Sequence, residues 1–148
     1  MNVEEVIKTE QKTPIETRTI IHVSLVNSTL NDAMSSTLKP FDVSLQQFNV
    51  LRILLEQNGI PANLSTLNKR MLTKMSNTTR LVDKLVLKNL AQRKICKTNR
   101  RKIEICITQK GIKLLEEMSN AIKHTEEKVF AGFTHFELET LNRLLDKF

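Results

Sequence analysis

Tryptophan and tyrosine are absent from this 148-residue chain, and it holds only 3 glycines, 3 prolines and 2 cysteines. The first absence removes the usual stacking platforms for single-stranded nucleic acid, leaving six Phe for that role. The scarcity of turn residues disfavours a strand-rich fold and, with 40% hydrophobic residues, predicts a mostly helical globular chain. Cys96 and Cys106 are too few for a disulfide framework and lack metal-ligand spacing, so free thiols are expected. No apolar run approaches the roughly 20 residues that span a bilayer. Glu4, Glu5 and Glu10 leave the N-terminus without a signal-peptide core, which predicts a cytoplasmic protein without membrane contact. A chain of this length can bury about 70% of its unfolded surface in one domain, without a covalent or metal staple.

What is present is a segregated charge. From Lys69 to Lys102, twelve Lys or Arg residues accompany a single acid, Asp83. The remaining residues carry eleven bases and fifteen acids, so a chain of net charge +7 is acidic outside that stretch. A basic run on a helical protein is usually a solvated face. Its distribution over one helix and one hairpin tip, Asn99-Arg100-Arg101-Lys102, makes a duplex-binding surface the better reading.

Local signals order the elements. Thr13-Pro14-Ile15-Glu16 has the form of a capping box with Pro at the first helical position, predicting a helix to about Leu38 that Pro40 ends. Its apolar residues, among them Ile20, Ile21, Val23, Val26, Leu30 and Met34, cover more than one stripe, so this helix needs partners on two faces. Ser44-Leu45-Gln46-Gln47 caps a second helix bearing Phe48, Leu51, Leu54 and Leu55, closed by Asn58-Gly59 before a turn at Pro61. A short helix follows from about Asn63, with Leu64, Leu67 and Met71 inward. Ser76 or Asn77 then caps another, with Leu81, Val82, Leu85 and Val86, ending at Asn89 in left-handed geometry.

Ile95-Cys96 and Ile103, Ile105 and Ile107 predict two strands around the basic tip, isoleucines on one face and Cys96, Glu104 and Cys106 on the other. Thr108 caps a helix with the stripe Ile112, Leu115, Met118, Ile122 and Val129, ended by Gly132. Thr134-His135-Phe136-Glu137 opens the last helix, with Leu138, Leu141, Leu144, Leu145 and Phe148. The fold class is mainly α: a winged helix-turn-helix of about six helices and a two-stranded wing. In such a fold the second helix of the motif enters the major groove. Ser76, Asn77, Thr78 and Thr79 cluster at its leading end, Arg80 adds a fork for guanine or phosphate, and Lys84 follows one turn later. Arg100, Arg101 and Lys102 complete the candidate DNA-binding set. Lys69, Arg70 and Lys74 suit backbone contacts, whereas Arg93 and Lys94 flank the wing.

From about Thr17 to the C-terminus the chain resembles the MarR family of bacterial transcriptional regulators. FDVSLQQFNVLRIL is similar to the family's second-helix signature and SNTTRLVDKLVLKNLAQRK to its recognition helix with the exit into the wing. NRRKIEICITQKG resembles the wing and the Thr-x-Lys-Gly that follows. The resemblance implies a single domain over 1–148, with dimerisation helices at 13–40 and 109–148 around a DNA-binding region at 41–108. It also implies a homodimeric repressor on a pseudo-palindromic operator, with Arg101 in the minor groove and a small aromatic or anionic effector. Two departures stand out: Asn99 where the family usually has Asp, weakening a charge-assisted hold on the neighbouring arginine, and Asn89 where it usually has Gly.

Other readings compete. A basic-faced helical module could meet an acidic protein partner, and Cys96 with Cys106 could form a redox-sensing pair across the hairpin. Strained geometry between strand partners argues against the latter. His22, His124 and His135 fall on three separate helices without ligand partners, so no metal site is expected. The apolar residues of the N-terminal helix and of Ile112 to Phe148 suit core or dimer contacts better than a ligand pocket. No nucleophile with a base and no phosphate-cradling loop appears, so neither an enzyme nor a cofactor is expected.

Overall fold

The computed structural model describes residues 2–9, 13–71, 77–95 and 103–148. Among these are seven α-helices and one hairpin: α1 (Val3–Val6), α2 (Ile15–Leu38), a 3-10 turn (Lys39–Phe41), α3 (Leu45–Glu56), α4 (Leu64–Arg70), α5 (Thr78–Leu87), β1 (Ala91–Ile95), β2 (Ile103–Ile107), α6 (Gln109–Val129) and α7 (His135–Leu145). This is the mainly α winged helix-turn-helix the sequence predicts.

The core lies between α3, α4, α5 and α6. Leu51, Ile53, Leu67, Leu85, Ile105 and Met118 are essentially inaccessible to solvent, each side chain contributing about 1.5–3 kcal/mol relative to exposure. The local reason is spacing. In α5 Leu81, Val82 and Leu85 are buried while Thr79, Arg80, Lys84 and Leu87 are exposed, a division that a 3.6-residue repeat imposes on this order of residues.

Helix ends follow cap chemistry. The Ser44 backbone N–H donates to Gln47 Oε1 at 3.0 Å and the Gln47 N–H to Ser44 Oγ at 3.2 Å, which satisfies the buried Gln47. Thr134 and Glu137 repeat the arrangement at α7, and the two Thr134 donors, backbone then hydroxyl, hold the Glu137 carboxyl below its usual range. Asn58 (φ 51°), Gly59 (φ 84°) and Asn89 (φ 57°) take left-handed conformations where α3 and α5 end.

Three local expectations need correction. Pro14 is the N-cap of α2 with ψ 144°, outside the helix, and no side-chain cap bond forms there, so Thr13 and Glu16 do not make a capping box. Strand β1 starts at Ala91 rather than near Ile95, because Ala91 and Ile107 are the first pair of a five-residue register. α1 was unforeseen; Asn2 caps it, Val3 is buried, and Arg18 Nε of α2 lies 3.1 Å from Glu4 Oε1.

The helices outside the core leave apolar surface uncovered. α2 packs on α6, where the Thr37 and Thr125 hydroxyls meet at 2.7 Å. Yet Leu38 is its only buried residue, and Ile15, Ile20, Val23 and Val26 are exposed. No residue of α7 is buried, and Phe136 is 74% accessible.

Candidate nucleic-acid interface

The two elements with the basic stretch, α5 and the wing, are tied to the rest of the fold at both ends of α5. At the leading end the Thr78 hydroxyl donates to Asn68 Oδ1 of α4. At the trailing end Lys88 Nζ stands 2.8 Å from Asp42 Oδ2, and the Lys88 carbonyl accepts from Lys110 Nζ at 3.1 Å. The Asn89 carbonyl accepts from Thr108 Oγ1 at 2.7 Å while the Leu90 carbonyl accepts from the Thr108 backbone N–H at 3.1 Å. Thr108 thus caps α6 through the Gly111 N–H, at 3.0 Å, and grips the chain leaving α5 at the same time. Gly111 is required for that approach: a Cβ there would stand 2.1 Å from the Leu90 carbonyl oxygen. The Thr-x-Lys-Gly segment is therefore the joint between α5 and α6.

Between those ends α5 presents Thr79, Arg80 and Lys84 to solvent. Arg80 and Lys84, one turn apart, share a face. Asp83, the acid among these bases, is paired: Arg93 Nη1 of β1 lies 2.5 Å from its Oδ1, and Arg93 Nη2 donates to the Thr79 carbonyl at 3.4 Å. Arg93, read from the sequence as merely flanking the wing, is instead bound to the helix that carries Arg80.

The sequence-derived site residues divide accordingly. Thr79, Arg80 and Lys84 share the exposed face of α5. Asn77 is its N-cap residue, half-buried, and its Oδ1 is buried without a hydrogen-bond partner among the described residues. Thr78 is 2% exposed. That burial places it between helices, on the inner side of the first turn, apart from the exposed Thr79, Arg80 and Lys84. Ser76, Arg100, Arg101 and Lys102 lie outside the described residues, as do Lys74, Cys96 and Asn99. Lys69 and Arg70 are exposed at the end of α4, Arg70 pairing with Glu56 at 2.5 Å.

The wing has a feature the sequence reading missed. The Ala62 N–H donates to the Ile105 carbonyl at 2.9 Å and the Ile105 N–H to the Ala62 carbonyl at 2.7 Å, so the turn after Pro61 adds a third, one-residue strand. A small residue just after Pro was its only trace. On the hairpin, Ile105 is buried but Ile95 and Ile103, paired with each other, are exposed where the wing leaves the core. Cys106 faces Gln92 across the hairpin.

Of the histidines, His124 Nδ1 lies 3.3 Å from Glu127 and His135 Nε2 3.2 Å from Glu139, pairs the sequence reading did not foresee. Among the described residues no group of three or more metal-binding side chains occurs, and no helix is long and apolar enough to cross a membrane. A cleft of about 440 Å³ opens between α2, α3 and α6, with Met34, Leu45, Phe48 and Ile122 beside Asn49, Arg52, Ser119 and Glu126.

Comparison with known proteins agrees with this geometry. Residues 43–103 match the model of the MarR family. The chain is 33% identical over 106 residues to YpoP, an HTH-type transcriptional regulator of Bacillus subtilis, covering 72% of this chain and 74% of that one. It is 26% identical over 113 residues to the HTH-type transcriptional repressor IacR of Pseudomonas putida, covering 76% of this chain and 66% of the repressor. The fold superposes with a TM-score of 0.80 on BpsR of Bordetella bronchiseptica, whose DNA binding is regulated by 6-hydroxynicotinic acid, at 19% identity over 93% of this chain and 96% of that one. With α5, the wing and their joints in place, and a relative this similar along most of both chains, the chain belongs to the MarR family of HTH-type transcriptional regulators, a family of regulators and not of enzymes.

Proposed function

We propose that this regulator is a repressor that binds double-stranded DNA as a homodimer, with α5 in a major groove and the wing on flanking backbone or minor groove. The observation that carries the proposal is the exposed face of α5, where Thr79, Arg80 and Lys84 are presented while the helix's other side is core and its lone acid is neutralised by Arg93. Lys and Arg contacts to phosphate supply most of the affinity, and Arg80 with Thr79 and Asn77 reads base edges. Arg100, Arg101 and Lys102, which fall between β1 and β2 in the sequence, are the further cations assigned to DNA contact.

The uncovered apolar residues of α2 and α7 support pairing of two copies through segments 13–40 and 109–148, leaving 41–108 for DNA. Two recognition helices related by a two-fold axis require half-sites about 10 bp apart. The cleft between α2, α3 and α6 suits a small aromatic or anionic effector, since apolar side chains there adjoin Arg52, Asn49 and Ser119. It lies between the paired helices and the DNA-binding region, where occupancy would alter the spacing of the two α5 helices.

Selection of bound duplexes from a random pool tests the proposal. The expected result is a two-fold-symmetric sequence with half-sites one helical turn apart, bound with a steep salt dependence. A stable monomer, or indifference to every duplex at low ionic strength, overturns it. The latter would favour an acidic protein partner for the basic face.

A further inference from the structure

Arg93 lies in the middle of β1 and pairs in register with Ile105, the residue that the Ala62 bridge and full burial anchor to the core. Its backbone therefore belongs to the fixed root of the wing. Its side chain crosses to α5, where the guanidinium divides between the Asp83 carboxylate and the Thr79 carbonyl, groups one helical turn apart. Its Nε is buried without a partner among the described residues, so the fork is held by its outer nitrogens alone. Among the described residues, neither Arg80 nor Lys84 makes an ion pair with Asp83, although both lie on its own helix.

We propose that Arg93 is a positioning residue for DNA recognition: by clasping Asp83 and the Thr79 carbonyl it fixes the angle between the wing and α5 and screens the one carboxylate of α5. The inference rests on the DNA-binding reading above. A planar fork with two separated acceptors resists rotation in a way a single contact does not, and the two DNA-facing elements then reach their grooves in a fixed relation. Arg93 itself needs no phosphate.

The test uses Arg93→Gln, Asp83→Asn and the exchanged pair Asp83→Arg with Arg93→Asp in the full chain. The probes are the strongest duplex selected from a random pool by the unaltered protein and a random-sequence duplex of equal length. Asp83→Asn removes a negative charge from the binding face, so charge alone would tighten both complexes. Positioning instead predicts that each single variant lowers the preference for the selected duplex by about tenfold. It also predicts an unchanged salt slope for Arg93→Gln, and recovery of much of the preference in the exchanged pair. Tighter or equal binding of the selected duplex by Asp83→Asn overturns the inference. So does an Arg93→Gln variant that weakens both complexes alike and loses about one unit of salt slope, the mark of a phosphate contact.

Hydrogen exchange of the free proteins supplies a readout independent of DNA: both single variants should lose protection in β1, β2 and the first turn of α5, at an unchanged melting temperature for the remaining helices. Unchanged protection there overturns the clasp. Failure of the unaltered protein to bind any duplex instead overturns the DNA-binding reading.

Discussion

Lys88 Nζ lies 2.8 Å from Asp42 Oδ2, joining the C-terminus of α5 to the left-handed corner that follows the 3-10 turn. Hydrogen bonding from Lys88 and its charge hold the Asp42 carboxyl below its ordinary value of 3.8. A carboxyl depressed in the folded state stabilises the fold fully above its unfolded value, and that contribution fades as pH falls through the lower, folded value. Asn tolerates the Asp42 backbone conformation, φ 52°. Asp42→Asn should therefore lower the urea midpoint slightly at neutral pH, and the difference from the unaltered protein should vanish in strong acid. A difference independent of pH would contradict the bond.

Gly111→Ala should be among the most damaging single changes outside the apolar core. The new Cβ would meet the Leu90 carbonyl oxygen at 2.1 Å and Ile107 Cγ1 at 2.9 Å, and a backbone carbonyl cannot swing aside as a side chain can. Overpacking of this kind costs about 1–3 kcal/mol. Equilibrium denaturation measures the loss, and DNA affinity should fall with it because the joint between α5 and α6 opens.

Arg80→Ala and Arg101→Ala should differ in kind. Loss of the Arg101 cation should weaken operator binding and flatten the logarithmic salt dependence by about one unit. Arg80→Ala should in addition relax base preference, at about 1–3 kcal/mol of discrimination. Equal losses on selected and random duplexes for Arg80→Ala would remove it from the readers of sequence.

Leu144→Glu, on the exposed face of α7, should split the proposed homodimer without unfolding the subunit, since no residue of α7 is buried within one chain. Sedimentation should show a monomer with helical circular dichroism retained, and duplex affinity should drop steeply as one of two α5 helices is lost to each site. A dimer that survives both this change and Phe136→Glu would place the interface elsewhere.

Much of this architecture was legible because short-range chemistry decided it. Ser44 with Gln47, Thr134 with Glu137, and Thr108 at α6 all cap as their spacing predicts, and Asn89 adopts the left-handed twist assigned to it. At Thr13 the same logic failed because Pro14 kept its extended ψ and remained outside the helix. Residue chemistry found the exposed face of α5 but not the burial of Thr78, whose hydroxyl suits base edges and the Asn68 side chain equally well; the packing of α4 on α5 is what sets it between helices. Arg93 was misjudged for the converse reason. Nothing in a one-dimensional string marks a cation ten positions beyond Asp83 as its partner, because the turn at Asn89 is what brings the two together.

The reciprocal amides of Ala62 and Ile105 join segments on either side of the whole α4–α5 unit. A contact so remote along the backbone carries the entropy cost of closing a long loop, and the expected order is that it forms late in folding. Isotope labelling during refolding should find the Ile105 amide unprotected until the helices have assembled, making that single proton a clock for the moment at which the wing acquires its root.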